Sequence, residues 1–222
     1  MEENRMPLIG DPAPEFKADT TQGIINFPKD FEGKWVILFS HPADFTPVCT
    51  TEFMTFGSMI DDFKALNTEL VGLSVDGLAS HIAWLRKIHE LEWKDLKNVD
   101  VTFPLIDDIS MKVAKKYGMI QPNQSTTAAV RAVFVIDPKG IIRTILYYPL
   151  STGRNFDEIK RIVQALQKVD AENCATPADW RPGDDVIVPP VRTCGLAKDR
   201  MENPKDDEYC LDWFLCFRKE KK

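Results

Sequence analysis

The sequence predicts an α/β fold in which a mixed β-sheet is flanked by helices. Two observations support this prediction: strand-like and helix-like segments alternate along the first 170 residues, and a tight turn joins the last two strand-like segments. Strands separated by helices usually lie parallel with right-handed crossovers, whereas a short turn joins antiparallel neighbours. The hydrophobic content of 44% and charged content of 28% are ordinary for a globular chain of 222 residues.

Apolar and β-branched segments bounded by turn residues predict five strands. They are Trp35–Ser40, Leu70–Val75, Thr102–Ile106, Ala132–Ile136 and Ile141–Tyr147. The turn chemistry of Asp137-Pro138-Lys139-Gly140 makes the last two an antiparallel hairpin. Helical periodicity predicts four helices, at Thr51–Asn67, Ser80–Glu92, Ser110–Tyr117 and Asp157–Asp170. This order suits the thioredoxin-like class.

The character of the chain changes after residue 170, where prolines interrupt it and long periodic segments stop. We therefore predict a main domain over residues 1–170 and a small C-terminal domain over residues 171–222. Large apolar side chains in the second region have little local core to bury them: Trp180, Trp213, Phe214 and Phe217. Whether this region folds back on the main domain or packs on another subunit stays open at this point.

Charge and hydropathy exclude several classes of function. The formal net charge is −6, which argues against nucleic acid as the main partner, because phosphate binding needs positive faces. The longest apolar runs have five residues, far short of the roughly 20 that a membrane-spanning helix needs. The start of the sequence lacks the pattern of a secretory signal, so we expect a cytoplasmic location. The five cysteines are odd in number and widely spread, unlike a secreted disulfide framework.

Cys49 stands between the first strong strand and the first long helix. Thr46 is a good N-cap and Pro47 suits the first helical position, which makes Cys49 the third helical residue. Free backbone N–H groups and the helix dipole there stabilise a thiolate, the nucleophilic form of the side chain.

Several chemistries could use such a thiolate. A dithiol oxidoreductase would carry Cys-x-x-Cys, but Thr46 and Glu52 occupy the two possible partner positions. A cysteine hydrolase needs a histidine base; His41 is available, while His81 and His89 are expected on the surface of a predicted helix. Attack on an electrophilic oxygen needs no such base. A buried inert cysteine is the alternative.

The segment from Pro42 to Glu52, Pro-Ala-Asp-Phe-Thr-Pro-Val-Cys-Thr-Thr-Glu, resembles the Pro-x-x-x-Thr-x-x-Cys signature of the peroxiredoxins. The residues of this segment are most similar to those of the one-cysteine (peroxiredoxin 6 type) subfamily, including its archaeal members with a C-terminal cysteine pair. The resemblance covers almost the whole chain and includes the motifs at Gly10–Phe16 and Tyr148–Glu158.

The resemblance implies a role for each residue that matches a functional position of the family. Cys49 would be the peroxidatic cysteine, which becomes a sulfenic acid. Arg131 and Thr46 would bind the peroxide, and Pro42 would shield the thiolate from water. Three further residues would support the site: Glu52, Arg154 and His41. The plainer alternatives are a surface charge at a strand end for Arg131 and a partly exposed histidine for His41.

The resemblance also implies that a C-terminal cysteine resolves the sulfenic acid of a neighbouring subunit. The candidates are Cys216, preferred by analogy, and Cys210; the alternative is that both only fill apolar space. Cys174 and Cys194 have no motif partner, and we expect buried or idle thiols there. The late cysteines lack the close pairs of a zinc site, so we predict no metal, and we predict no cofactor.

These inferences predict an antioxidant thiol peroxidase that reduces hydrogen peroxide and organic hydroperoxides. The resemblance also implies that a thioredoxin- or glutaredoxin-type reductant recycles the enzyme and that homodimers with exchanged arms assemble into a decamer. A chaperone-like ring with weak peroxidase activity is the alternative. The phospholipase site of mammalian relatives should be absent, because its serine, histidine and aspartate positions hold Lys34, Pro28 and Lys139.

Overall fold

The computed structural model describes residues 5–203 and 205–220. The backbone divides into two compact units, the first ending at Phe156 and the second beginning at Asp157. No helix within the described ranges is long and apolar enough to cross a membrane.

Within the described part of the first unit, seven strands form one mixed sheet in the order β2-β1-β5-β4-β3-β6-β7. The strands are β1 Phe16–Thr20, β2 Gly23–Phe27, β3 Trp35–Ser40, β4 Thr68–Ser74, β5 Leu105–Asp107, β6 Arg131–Ile136 and β7 Ile142–Tyr148. The three strands β3, β4 and β5 are parallel, whereas β6 is antiparallel to β3 and β7 is antiparallel to β6. The helices of this unit are α1 Pro47–Ser58, α2 Ile60–Ala65, α3 Leu78–His89 and α4 Lys112–Lys116.

The central strands explain where the core lies. Every residue of β3 and of β6 is buried, as expected for strands covered on both faces. Because β3, β4 and β5 run in the same direction, the loops that follow them meet at one edge of the sheet. The loop after β3 contains the motif around Cys49, so this edge is where the candidate site forms.

Several predicted elements agree closely with the structure. The strand predicted at Trp35–Ser40 is β3 with the same ends, and the predicted hairpin is the antiparallel pair β6–β7. Asp137 Oδ1 stabilises the turn by accepting hydrogen bonds from the N–H groups of Lys139 and Ile141, at 2.9 and 3.0 Å. The first long helix differs from the prediction: it begins at Pro47 and is interrupted at Met59, so that two helices replace one.

The second unit contains the helices α5 Phe156–Glu172, which begins at the last residue of the first unit, and α6 Cys194–Glu202. Its described residues also form a three-stranded sheet in the order β8-β10-β9, with β8 Val186–Ile187, β9 Glu208–Asp212 and β10 Leu215–Arg218. Ala165 of α5 joins Cys174, Trp180 and Val186 in a small apolar core. This packing assigns α5 to the second unit, whereas the predicted domain boundary at residue 170 leaves it in the first.

Candidate active site

Cys49 is fully buried in the first turn of α1. Thr46 is the N-cap residue with extended backbone, and Pro47 is the first helical residue, as the local sequence predicts. The hydroxyl of Thr46 does not cap the helix; it donates to the backbone oxygen of Ala43 at 2.8 Å. The backbone N–H groups of Val48 and Cys49 precede the first intrahelical bond, so they remain available to a negatively charged group near the sulfur.

Arg131 lies beside the sulfur of Cys49. Its Nη1 is 3.2 Å from Cys49 Sγ and 2.8 Å from Glu52 Oε2. The other side of the guanidinium is held by the backbone oxygen of Leu150, which accepts hydrogen bonds from Nε and Nη2 at 3.1 and 2.7 Å. These contacts fix the direction in which the positive charge faces, and the residue is buried. The alternative of a surface charge for Arg131 is therefore wrong.

Glu52 stands one helical turn after Cys49 and is held by Arg154. Glu52 Oε1 accepts from the backbone N–H and Nε of Arg154 at 2.9 and 3.0 Å, and Oε2 accepts from Nη2 at 2.7 Å. Nη1 of Arg154 donates to the backbone oxygens of Ser40 and Ala132 at 2.9 and 3.1 Å. One arginine thus ties α1 to β3 and β6.

The charged groups of this cluster, two guanidinium groups and one carboxylate, favour a negatively charged sulfur at Cys49. Burial raises the pKa of Glu52, but the charge and hydrogen bonds of Arg154, together with the charge of Arg131, lower it more, so its pKa falls below the usual value. The carboxylate is therefore ionised and balances one of the two guanidinium groups. One positive charge remains beside Cys49 Sγ, where a negative sulfur would neutralise it.

A second buried network begins at His41, directly after β3. His41 Nε2 is 3.0 Å from Asp44 Oδ1, and Asp44 Oδ2 is 2.8 Å from Nδ1 of His81. The backbone oxygen of Ile106 lies 3.1 Å from His81 Nε2. His41 and His81 are fully buried. The alternative of a partly exposed His41 is therefore wrong, and so is the expectation of a surface position for His81.

Aromatic rings enclose His41. The ring of Phe53, one turn beyond Cys49 on α1, lies 4.7 Å from the imidazole, and the ring of Trp84 lies 5.1 Å from it. Pro42 is also buried in the loop after β3. An enclosed, low-dielectric pocket strengthens the electrostatic interactions inside it.

The described residues include one trio whose ligand-type atoms lie within 4.8 Å of one another: His41, Asp44 and Asp76. The ligand-type atoms of Asp44 and Asp76 already take part in hydrogen bonds. Both carboxylate oxygens of Asp44 contact histidines, and Asp76 Oδ2 accepts from the Asp44 N–H and from Ser74 Oγ, at 2.9 and 2.8 Å. The donor set therefore fits a hydrogen-bond network better than a cation site.

The other predicted cysteines lie in the second unit. Cys210 and Cys216 face each other across β9 and β10 and are joined by a disulfide bond. Cys174 is a buried thiol and Cys194 is an exposed one. Burial raises the pKa of the Cys174 thiol, which disfavours its reactive form.

Sequence reasoning missed several groups of the site. Leu150 and Ser40 contribute backbone oxygens, which a sequence pattern does not identify. His81 carried a readable signal, because it lies at positions i, i+3 and i+7 with Trp84 and Ile88, the buried stripe of α3. Asp44 stands three residues after His41 within the quoted motif, but its role depends on His81.

Comparison with protein families gives two matches. Residues 9–145 match the AhpC/TSA family, and residues 165–203 match the C-terminal domain of 1-Cys peroxiredoxin. Among curated proteins, a peroxiredoxin of Methanosarcina mazei is 64% identical over 97% of this chain and 99% of its own length. A peroxiredoxin of Aquifex aeolicus is 51% identical over 99% of this chain and its full length.

Solved structures show the same likeness. A yeast mitochondrial 1-Cys peroxiredoxin, described for its thiol resolving mechanism via glutathione/thioredoxin systems, has a TM-score of 0.83 and 41% identity, covering 97% of this chain and all of its own. Peroxiredoxin 6 of Arenicola marina has a TM-score of 0.80 and 33% identity, with 97% and 100% covered. The first unit thus has the thioredoxin-like fold, followed by a small C-terminal sheet and helix.

Proposed function

The chain belongs to the peroxiredoxin family and is a thiol peroxidase, and we propose that Cys49 is its peroxidatic residue. The observation that carries this proposal is the buried guanidinium of Arg131, 3.2 Å from Cys49 Sγ. Among the other cysteines, Cys210 and Cys216 are bonded to each other, and burial raises the pKa of the Cys174 thiol despite the nearby charges of Arg218 and Lys168.

The proposed substrates are hydrogen peroxide and organic hydroperoxides. The Cys49 thiolate attacks the terminal oxygen of R–O–O–H, so that an S–O bond forms and the O–O bond breaks. Cys49 becomes a sulfenic acid, and the leaving RO⁻ takes up a proton from solvent to give an alcohol or water. Arg131 and the free N–H groups of the α1 terminus stabilise the negative charge that moves onto the leaving oxygen. The Thr46 hydroxyl donates to Ala43, so toward the bound peroxide its oxygen acts as an acceptor.

The proposed recycling route uses the C-terminal cysteines. The thiol of Cys216 from a neighbouring subunit condenses with the sulfenic acid, which releases water and forms a mixed disulfide. Cys210 then attacks Cys216, so that Cys49 is released as a thiol. A thioredoxin- or glutaredoxin-type dithiol reduces the resulting pair. The Cys210–Cys216 disulfide of β9 and β10 is the product that this route requires, and it supports the proposal.

Peroxide assays on the fully reduced full-length chain test both steps. We expect Cys49→Ser to abolish peroxide consumption, because it removes the thiol that the guanidinium of Arg131 contacts. We expect the Cys210→Ser, Cys216→Ser double variant to keep a single oxidation of Cys49, measured by mass spectrometry, but to lose turnover with thioredoxin, thioredoxin reductase and NADPH.

The Cys174→Ser, Cys194→Ser double variant is the matched control, since it removes the same number of thiols outside the proposed route. It should turn over like the wild type. Peroxide consumption by Cys49→Ser would overturn the assignment of Cys49. Sustained thioredoxin-coupled turnover without Cys210 and Cys216 would show that the chain works as a true one-cysteine enzyme.

Assembly into dimers and a decamer is part of the proposal. The strand β7 is the last strand on its side of the seven-stranded sheet, which is where a second copy can pair with it. Exposed apolar side chains also follow three neighbouring strands: Phe45 after β3, Ile82 on α3 after β4, and Ile109 after β5. The Asp44 N–H donates to Asp76 at 2.9 Å, which holds the first two of these loops together.

Recycling by a reduced dithiol supports the expected cytoplasmic location, because it needs a reducing compartment.

A further inference from the structure

A chain of hydrogen bonds leads away from the candidate active site through buried side chains. It starts at His41, passes through the two carboxylate oxygens of Asp44 to His81, and ends on the backbone oxygen of Ile106. The heavy-atom distances along it are 3.0, 2.8 and 3.1 Å. All three side chains are almost completely buried.

The donors and acceptors of this chain determine the protonation of His81. Burial raises the pKa of Asp44, but its hydrogen bonds with His41 and His81 lower the pKa by more than burial raises it. The net result is a pKa well below the usual value. An ionised carboxylate and a backbone oxygen can only accept hydrogen bonds. Both ring nitrogens of His81 must therefore donate, which requires the doubly protonated imidazolium.

The same reasoning determines the tautomer of His41. Burial lowers its pKa, and although Asp44 acts in the opposite direction, the net shift is downward, which favours the neutral ring. Nε2 faces the carboxylate of Asp44 and must carry the hydrogen. Nδ1 then has a lone pair, and it is buried without a hydrogen-bond partner among the described residues. A buried acceptor with no partner is uncommon and suggests a ligand that supplies the missing donor.

We propose that Asp44 and His81 are positioning residues that hold His41 as the neutral Nε2–H tautomer, so that Nδ1 accepts a hydrogen bond from the O–H group of a bound hydroperoxide. The inference rests on the proposed assignment of the peroxide pocket to Cys49 and its neighbours. The positive charge of His81 balances that of Asp44, which leaves His41 with no excess negative charge to attract a second proton.

The charged groups that face His41 come from three parts of the fold. They are Asp44 in the loop after β3, His81 on α3 and Arg154 after β7. His81 and Arg154 disfavour a second proton on His41, whereas Asp44 favours it. Asp76, whose carboxylate accepts the Asp44 N–H, adds a negative charge on the far side of Asp44. Removing the charge of His81 therefore shifts this balance toward a protonated His41.

Nitrogen-15 NMR of the wild-type protein tests the protonation states directly, because the chain has three histidines. We expect one ring with both nitrogens protonated and one neutral ring with hydrogen on Nε2. The third signal belongs to the exposed His89 and is identified by its loss in His89→Gln. An unprotonated nitrogen in the His81 ring, or hydrogen on Nδ1 of His41 at neutral pH, would overturn the proposal whether or not Cys49 reacts with peroxide.

The pH dependence of the peroxide reaction separates positioning from a purely structural role. Relative to wild type at each pH, His81→Gln should react nearly normally at high pH and lose about tenfold or more toward pH 6, because His41 gains a second proton. Asp44→Asn should be slower at all pH values without a new acid limb, since the negative charge is gone.

His89→Gln is the matched control and should follow the wild-type profile. A loss in His81→Gln that does not vary with pH would indicate a structural role only and would overturn the positioning role. If His81→Gln fails to fold, the wild-type NMR spectrum still decides, because it reports the protonation of both histidine rings without any substitution. A failure of the proposed function is seen separately, as peroxide consumption by Cys49→Ser.

Discussion

At the scale of single residues, Arg131 and Arg154 share one carboxylate but have different neighbours. Arg131 contacts the sulfur of Cys49, whereas Arg154 contacts backbone oxygens of the two central strands. Glu52 joins them, so that each buried guanidinium is fixed by an ion pair. The buried charge beside the sulfur thus depends on Arg131, and the connection between α1 and the sheet depends on Arg154.

Arg131→Met should lower the rate of Cys49 oxidation by about 100-fold or more, the usual effect of losing one donor to a developing negative charge. Glu52 keeps its contacts with Arg154 in this variant, so the urea midpoint should fall less than it does in Arg154→Met. Arg154→Met breaks a buried ion pair, which lowers the free energy of unfolding by about 3–5 kcal/mol. Stopped-flow oxidation and urea denaturation measure the two effects. The partly exposed Arg143→Met is the control, and normal reactivity of Arg131→Met would remove Arg131 from the mechanism.

At the scale of elements, the sequence predicts strands and helices better than it predicts which face of a helix is buried. The continuous apolar run of β3 defines its own ends, and the turn at Asp137 defines the hairpin. The start of α1 follows the local signal of Thr46 and Pro47 rather than the longer periodicity, which predicts Thr51–Asn67. His81 falls on a correctly predicted helix and on its buried stripe, but its hydrogen-bond partner Asp44 is distant in sequence.

Elements that the sequence did not predict are short and held by distant partners. The strands β1 and β2 have five residues each and pair as a hairpin at the edge of the sheet, with Gly23 at positive φ directly after the connecting turn. The strands of the second unit are equally short. In the site, the backbone oxygens that hold Arg131 and Arg154 come from loops and strands, and their position follows only from the folded chain.

The packing of α1 makes Gly57 sensitive to substitution. A Cβ atom at this position would lie 2.5 Å from Val99 Cγ1 and 3.2 Å from Val101 Cγ2. Alanine gains about 1 kcal/mol of helix propensity over glycine, but overpacking typically costs about 1–3 kcal/mol. We expect Gly57→Ala to lower the urea midpoint in the wild-type background.

Val99→Ala is the background that tests this explanation, because it removes the nearest methyl group. In that background Gly57→Ala should cost less or should stabilise the protein, so that the two substitutions are coupled. Equal effects of Gly57→Ala in both backgrounds would rule out the contact with Val99 as the cause.

At the scale of the whole molecule, the net charge of −6 contrasts with the positive charge beside Cys49. A small neutral hydroperoxide is little affected by the overall field, so the local arrangement of buried charges matters more for the proposed reaction. The same buried charges couple the stability of the fold to pH, because their ionisation differs between folded and unfolded chains.

We expect stability to fall on acidification in two stages. The pKa of His41 is lowered by burial, so below the unfolded value of about 6.5 the unfolded chain binds an extra proton and is favoured. The pKa values of Glu52 and Asp44 are also lowered, so their contributions are present above about pH 4 and are lost as the pH falls through their folded values. Urea midpoints measured from pH 8 to pH 3 should therefore decrease below about 6.5 and more steeply below about 4. Glu52→Gln should be less stable than the wild type at pH 7. The difference should shrink toward pH 3, because the carboxylate of the unfolded wild-type chain takes up a proton below about pH 4. A constant difference would exclude Glu52 as a source of the acid lability.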